Sequence, residues 1–268
     1  MREGQVIDFS TVTEIPGIEV SLEQLQVISF RYKLASRFVD RKDVLEVGCG
    51  PGLGLGYLAQ KARMVTGVDY TERSVQKAFE TYGSHHNVHI LQGDAHSLPF
   101  KDTSFDTVVT LATVCYLNLS GFLKECHRVL KRGGVLAFCT PNKDVPDFRP
   151  SRFSTKYYSV PELFLIASDN RFSLELFGAF AIPRGRSRLM RKLRTRGSRM
   201  LGHIGFAPRF QSAMKGYIKR LIGYRSYRLK STVDEDCMRL VESIQLKPLS
   251  QSSPDFEHRV LYGIARAR

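Results

Sequence analysis

The stretch from Val44 to Ala59, VLEVGCGPGLGLGYLA, constrains the fold more than any other part of the chain. Val44, Leu45 and Val47 form a short apolar run suited to a strand buried on both faces, and Leu53, Leu55, Tyr57, Leu58 and Ala59 open a packed helix. Between them stand Gly48, Gly50 and Gly52. Glycines at a strand-to-helix turn let backbone N–H groups approach a ligand, and the helix N-terminus beyond adds partial positive charge. Two nucleotide motifs are excluded: counted from Gly48, the third glycine of a G-x-G-x-x-G fingerprint is replaced by Leu53, and no G-K-[ST] follows. Glu46, two residues before the first glycine, would repel a pyrophosphate but accepts hydrogen bonds from a cationic head group. The pattern suits a ligand with an amino acid at one end and a nucleoside at the other.

After the turn, strand and helix patterns alternate, as they do in a parallel sheet. Met64 to Val68 is apolar and ends in Asp69, Glu72 to Tyr82 is helical, and Val88 to Leu91 ends near Asp94. Phe105 to Leu111 reads as a fourth strand, Leu119 to Leu130 as a helix, Lys131 to Gly134 as a turn and Val135 to Cys139 as a fifth strand. Acids at the carboxyl ends of successive strands face the ligand crevice of a doubly wound sheet. Asp69 stands where a carboxylate accepts both ribose hydroxyls.

From Glu46, Gly48, Gly50 and Gly52 through about Asn142 the chain resembles the class I S-adenosylmethionine-dependent methyltransferases of the UbiE-like, type 11 methyltransferase domain kind. The resemblance implies a Rossmann-like, doubly wound, seven-stranded and mostly parallel α/β sheet, with S-adenosyl-L-methionine as cofactor. It also implies that Asp94 accepts from the adenine amino group while the Ala95 N–H donates to the ring. Tyr70 is placed to stack on adenine, and Cys49 and Leu111 complete the expected cofactor contacts. In this family an N-terminal helix commonly lies over the cofactor, which brings Arg31 and Tyr32 into reach.

That helix is legible here: after a Pro16-Gly17 turn, Ser21 fits an N-cap with Gln24 three residues on, and Leu22, Leu25, Ile28, Tyr32 and Ala35 follow at helical spacing. The expected organisation is a cofactor-covering segment over 1–43, a core over 44–181, a basic and largely helical insertion over 182–255, and a final core strand over 256–268. Ser159 and Pro161 start a helix, and Phe172 to Phe180 and His258 to Arg266 read as the last two strands. Five cysteines without a C-x-x-C spacing favour a reducing compartment and give no zinc pattern. With no signal-peptide core and no long apolar run, the expectation is a cytoplasmic protein.

Methyl transfer from a sulfonium is an in-line displacement, so the protein must hold the nucleophile near the methyl carbon and sometimes remove a proton. Thr113, Cys115, Tyr116, Thr140, Asn142 and Lys143, at the ends of the fourth and fifth strands, are the nearest expected side chains. In the resembling family the position of Tyr116 is often a histidine that serves as base in some members. A phenol with an ordinary pKa of about 10 is a poor base at neutral pH, which leaves positioning or a second base such as His96. Tyr116, His96 and Asn142 are therefore the expected catalytic residues.

The acceptor is expected to be a hydroxyl on a small molecule, glycan or lipid-linked intermediate. An RNA methyltransferase is the rival, without an N-P-P-[YF] motif to support it, and a non-catalytic binding protein keeping the fold is a third reading. Charge adds one more constraint. The chain carries 40 basic and 26 acidic residues, and fifteen of the basic ones fall between Leu176 and Val233, where no acid occurs. Apolar residues at helical spacing are interleaved with them, a composition that suits an anionic membrane surface through residues 184–230 better than a nucleic acid. The bland alternative is a packed lid with solvated charges.

Overall fold

Alternation along one buried strand decides the layering. In β2 (Asp43–Val47), Val44 and Leu45 are both wholly inaccessible, yet they pack into different clusters on opposite faces of the same sheet. These features come from a computed structural model that describes residues 8–146, 148–182 and 226–268. Flanking β2 on one side are β3 (Met64–Asp69) and β4 (Val88–Gln92), and on the other β5 (Phe105–Leu111) and β6 (Leu130–Pro141), all parallel. Beyond β6 the sheet turns antiparallel: β10 (His258–Ala267) lies between β6 and β7 (Phe172–Ala181). The order is β4-β3-β2-β5-β6-β10-β7, the expected seven strands, and the two-residue β9 (Lys247–Pro248) extends the β7 edge.

On the Val44 face pack α1 (Leu22–Ala35), α2 (Leu55–Ala59) and α3 (Glu72–Tyr82), through Ile28, Leu58, Ala78 and Tyr82. On the Leu45 face pack α4 (Leu119–Val129) and α5 (Val160–Asp169), through Phe122, Cys126 and Leu163. The result is the expected doubly wound, three-layer arrangement, with its switch point where β2 and β5 lie side by side. Both predicted caps form. Ser21 Oγ accepts from the Gln24 N–H at 3.1 Å while Gln24 Oε1 accepts from the Ser21 N–H at 2.9 Å, and Ser159 with Glu162 repeats the device at α5.

Three differences from the sequence reading have physical causes. The Lys131–Gly134 turn is a register shift within β6, where Gly133 takes φ 72°. The expected apolar stripe of α1 is also too narrow: Phe30 and Leu34 are buried as well, while Leu22 stays exposed. A second layer covers α1, formed by Leu229, Val233 and Val241, which flank α6 (Glu235–Arg239). This layer is the end of the segment expected to be a largely helical insertion. Between 226 and 255 its only helix among the described residues is α6, and β8 (Ser226–Arg228) pairs antiparallel with β1 (Glu19–Ser21). The rest of that segment, 183–225, with most of the apolar residues at helical spacing, lies outside the described residues. Among the described residues no helix is long and apolar enough to cross a membrane.

Candidate functional site

A cavity of about 440 Å³ opens at the carboxyl ends of the parallel strands, and each of them contributes to its wall: Val47 to Pro51 after β2, Val68 to Tyr70 at β3, Gly93 to His96 after β4, and Leu111 to Thr113 at β5. The N-terminal segment closes the cavity with Phe9, Val12, Thr13 and Glu14. Of the predicted cofactor residues, Gly48, Cys49, Gly50, Asp69, Tyr70, Asp94, Ala95 and Leu111 all line this one space.

The turn is shaped for close approach. Gly48 has φ 75°, and a Cβ there would lie 2.3 Å from Thr113 Oγ1, so neither the backbone nor the neighbour admits a side chain. Asp69 fastens the turn: its Oδ2 accepts from the Gly50 N–H at 2.8 Å and its Oδ1 from the Thr71 N–H at 2.9 Å. Burial raises the Asp69 carboxyl above its ordinary value, against the lowering effect of those two bonds. Gly52 serves packing instead, facing Tyr82 and Ala78 away from the cavity.

Glu46 does not line the cavity; Tyr32 stands between. The Tyr32 hydroxyl donates to Glu46 Oε1 at 3.0 Å, and Glu46 Oε2, buried, has no partner. Burial pushes the Glu46 carboxyl up to about 7, opposed by the Tyr32 bond and by Arg31. Arg31, 5% exposed, lines the cavity and is ion-paired with Glu14, while its Nε is unpartnered. Burial works against the charge on Arg31, but Glu14 together with Tyr32 and Cys139 outweighs it and the guanidinium pKa is raised. An orphaned carboxyl oxygen, a glycine cradle and acids at two further strand ends fit the cationic amino-acid end and the nucleoside of S-adenosylmethionine.

Toward the acceptor side, Tyr116 lines the cavity with its hydroxyl 2.7 Å from Ser151 Oγ. Burial pushes its pKa up to about 12. Burial likewise pushes the Cys115 thiol up to about 11 and Cys49 well above the ordinary thiol range. None of these three groups ionises near neutrality.

Two of the expected catalytic residues are engaged with other parts of the chain. His96 lines the cavity, but its Nε2 accepts the Asn118 N–H at 3.1 Å and its Nδ1 lies 3.0 Å from Asp94 Oδ1. The Asn118 N–H thus occupies the Nε2 lone pair in this structure, and Nδ1 faces the Asp94 carboxylate. Asn142 is wholly buried away from the cavity, its amide donating to the backbone oxygens of Asp255 at 2.6 Å and His258 at 2.8 Å. It fastens the entry to β10. Thr140 and Lys143 are also absent from the cavity wall; Lys143 is taken up by Glu162.

Residues missed by sequence reasoning are Phe9, Glu14, Ser151 and Tyr157, all lining the cavity. The Pro16-Gly17 turn carried a usable signal, because it folds the preceding segment back along α1 and brings Glu14 to Arg31. The loop containing Ser151 and Tyr157 carried none, having neither periodicity nor a turn motif tied to a ligand.

Comparison with known proteins agrees with this geometry. Residues 45–138 match the family described as "Methyltransferase domain". A protein of Mycolicibacterium smegmatis described as "Probable S-adenosylmethionine-dependent methyltransferase" is 37% identical over 150 residues, 53% of this chain and 56% of that protein. The fatty-acid O-methyltransferase of the same organism is 33% identical over 135 residues, 47% of this chain and 48% of that one. The chain thus spans about half the length of these curated relatives. Among solved structures, a S-adenosylmethionine-dependent methyltransferase of Thermotoga maritima superposes with a TM-score of 0.56 at 16% identity, covering 92% of this chain and 91% of that one.

Proposed function

We propose that this chain, whose residues 45–138 match the methyltransferase domain family, is a class I S-adenosylmethionine-dependent methyltransferase that methylates an oxygen of a small or lipid-linked acceptor. The observation that carries the proposal is that the glycine turn, Asp69, Asp94 and Tyr116 share one cavity. The glycine turn, Asp69 and Asp94 would hold S-adenosylmethionine, which would supply a sulfonium-activated methyl group for an acceptor oxygen, the methyl–sulfur electron pair remaining on sulfur and the acceptor proton going to water.

The chain's own residues bind and position. The Gly48–Gly50 turn, whose N–H groups are taken up by the Val68 carbonyl and by Asp69, shapes a wall for a nucleoside, Asp69 offers it a carboxylate, and Asp94 with Ala95 continues that edge. Tyr32 and Arg31 connect Glu46 and Glu14 to the cavity, placing negative charge close to where a cationic group would sit. Phe9, Tyr70 and Tyr116 form an aromatic edge suited to an apolar acceptor, with Phe9 edge-on to the other two at 6.2 and 5.4 Å. The name of the fatty-acid O-methyltransferase relative supports a lipid-like acceptor. The test is calorimetry with S-adenosylmethionine, followed by mass spectrometry of lipid extracts incubated with protein and cofactor. A mass gain of one methylene in an oxygen-bearing lipid is expected; binding of NAD with none of the sulfonium compound refutes the proposal.

The basic stretch 184–230 extends this proposal to an anionic surface that presents the acceptor. Sedimentation with phosphatidylglycerol vesicles that weakens with added salt is the expected result, and absence of binding at low salt eliminates it.

A further inference from the structure

Ser151 is held more firmly than a loop serine requires. Its N–H donates to the Tyr157 hydroxyl at 2.9 Å, and Tyr157 lines the same cavity as Cys115. Within the same loop, the Thr155 N–H donates to the Cys115 carbonyl at 2.8 Å and the Ser154 hydroxyl closes back on the Ser151 carbonyl at 2.7 Å. The loop is thereby fastened to the same short segment, 114–116, that carries Tyr116.

The Ser151 hydroxyl has two neighbours, the Arg152 carbonyl at 3.3 Å and the Tyr116 hydroxyl at 2.7 Å. A carbonyl only accepts, and serine has one proton, so satisfying both contacts sends that proton to Arg152. We assign Tyr116 as the donor in the shorter bond, the direction that satisfies both contacts. Its proton is used on Ser151, and what its oxygen offers to the cavity is lone pairs. A group approaching that oxygen has to bring its own hydrogen. A hydroxyl does; a carboxylate brings only lone pairs, and the lining guanidinium that could attract it, Arg31, is paired with Glu14. An alkylammonium has a proton but no lone pair for the methyl group. The Phe9, Tyr70 and Tyr116 rings supply the apolar remainder of the subsite.

We propose that Ser151 is a positioning residue which fixes the hydrogen-bond direction of Tyr116, and that the subsite so formed selects an acceptor bearing a neutral hydroxyl on an apolar body over a carboxylate of the same shape. The proposal rests on the methyltransferase reading above, and the experiment separates the two. Full-length protein saturated with S-adenosylhomocysteine is titrated calorimetrically near neutral pH with para-butylphenol and para-butylbenzoic acid, which share a tail and differ at the head group. The phenol should bind about tenfold more tightly, a difference the size of one hydrogen bond. Ser151→Ala should bring the two within a few fold of each other, Ser151→Thr should restore the preference, and S-adenosylhomocysteine affinity should be the same in all three proteins. Equal or tighter binding of the acid, a preference that survives in S151A, or binding of neither compound to protein that holds S-adenosylhomocysteine overturns the proposal. Failure of the wild type to bind S-adenosylhomocysteine instead removes the methyltransferase reading and the proposal with it.

Discussion

Gly54 is the position at which one methyl group should do the most damage. Its φ of −108° suits alanine as well as glycine, so the penalty of Gly54→Ala comes from contact and not from the backbone. A Cβ would lie 1.8 Å from Tyr32 Cε1 and 2.2 Å from both Cδ1 and Cζ, so the ring has to move. Tyr32 is 3% exposed, its hydroxyl is held by Glu46 at 3.0 Å, and the Arg31 guanidinium stands 5.4 Å from its ring centroid. Overpacking of this kind costs about 1 to 3 kcal/mol. Moving the ring also takes away the single partner of a buried carboxyl, worth about another 1.5 to 3 kcal/mol. Together these predict a loss of roughly 3 to 6 kcal/mol in urea unfolding at a pH where Glu46 is ionised. The double-mutant cycle isolates the cause. In a Tyr32→Ala background the space is vacated and the Glu46 bond is already gone, so adding Gly54→Ala should change stability by under about 1 kcal/mol. The same penalty in both backgrounds would refute the reasoning, as would a G54A protein as stable as wild type.

Glu46 should couple cofactor binding to protons. Because its pKa is raised from 4.5 to about 7, the free folded protein holds a proton that the unfolded chain has lost between those values, so Glu46 favours folding most at low pH and this contribution falls as pH rises toward 7. A cationic ligand favours the ionised form, so affinity should climb with pH and level off above 7. Calorimetry in buffers of different ionisation enthalpy should show proton release at pH 6 that vanishes in Glu46→Gln, and binding without proton release in the wild type would contradict it. Asn142→Ala should lower stability by about 2 to 4 kcal/mol, since two buried carbonyls lose their donor, while cofactor affinity stays within a few fold. A large loss of affinity in a protein of unchanged stability would return Asn142 to the site. Asp69→Ala removes the acceptor that fastens Gly50 and should weaken S-adenosylmethionine binding by about 1 to 3 kcal/mol in titration; unaltered affinity would show that Asp69 only shapes the turn.

The half of the site built from strand ends was legible because its constraints are local in sequence. Left-handed glycines must follow β2, and acids at the ends of β3 and β4 are read directly from where each apolar run stops. The same locality explains Asn142. Pro141 lines the cavity, so a two-residue period turns Asn142 the other way, toward the start of β10. The sequence placed Asn142 at the correct strand end, but the direction of an amide there depends on a partner more than a hundred residues away in the chain.

The rest of the cavity wall rests on contacts of another kind. Glu14 meets Arg31, Tyr116 meets Ser151, and His96 meets the backbone of Asn118; each pair joins segments that have no shared periodicity. A tyrosine or serine in a polar loop reads the same whether it faces solvent or fixes the proton of a neighbour. His96 illustrates the consequence: as a lone histidine beside a strand end it suggested a base, whereas the structure engages its two ring nitrogens with Asn118 and with Asp94. The division has a functional meaning. What a strand end and a glycine turn dictate is the cofactor, whereas the acceptor is chosen by loops free to vary without disturbing the sheet. Substitutions in the loop that carries Ser151 and Tyr157 should therefore redirect acceptor preference while leaving cofactor affinity and the unfolding midpoint in place, and substitutions at Gly48 should do the reverse, because its missing Cβ is what lets the turn pass Thr113.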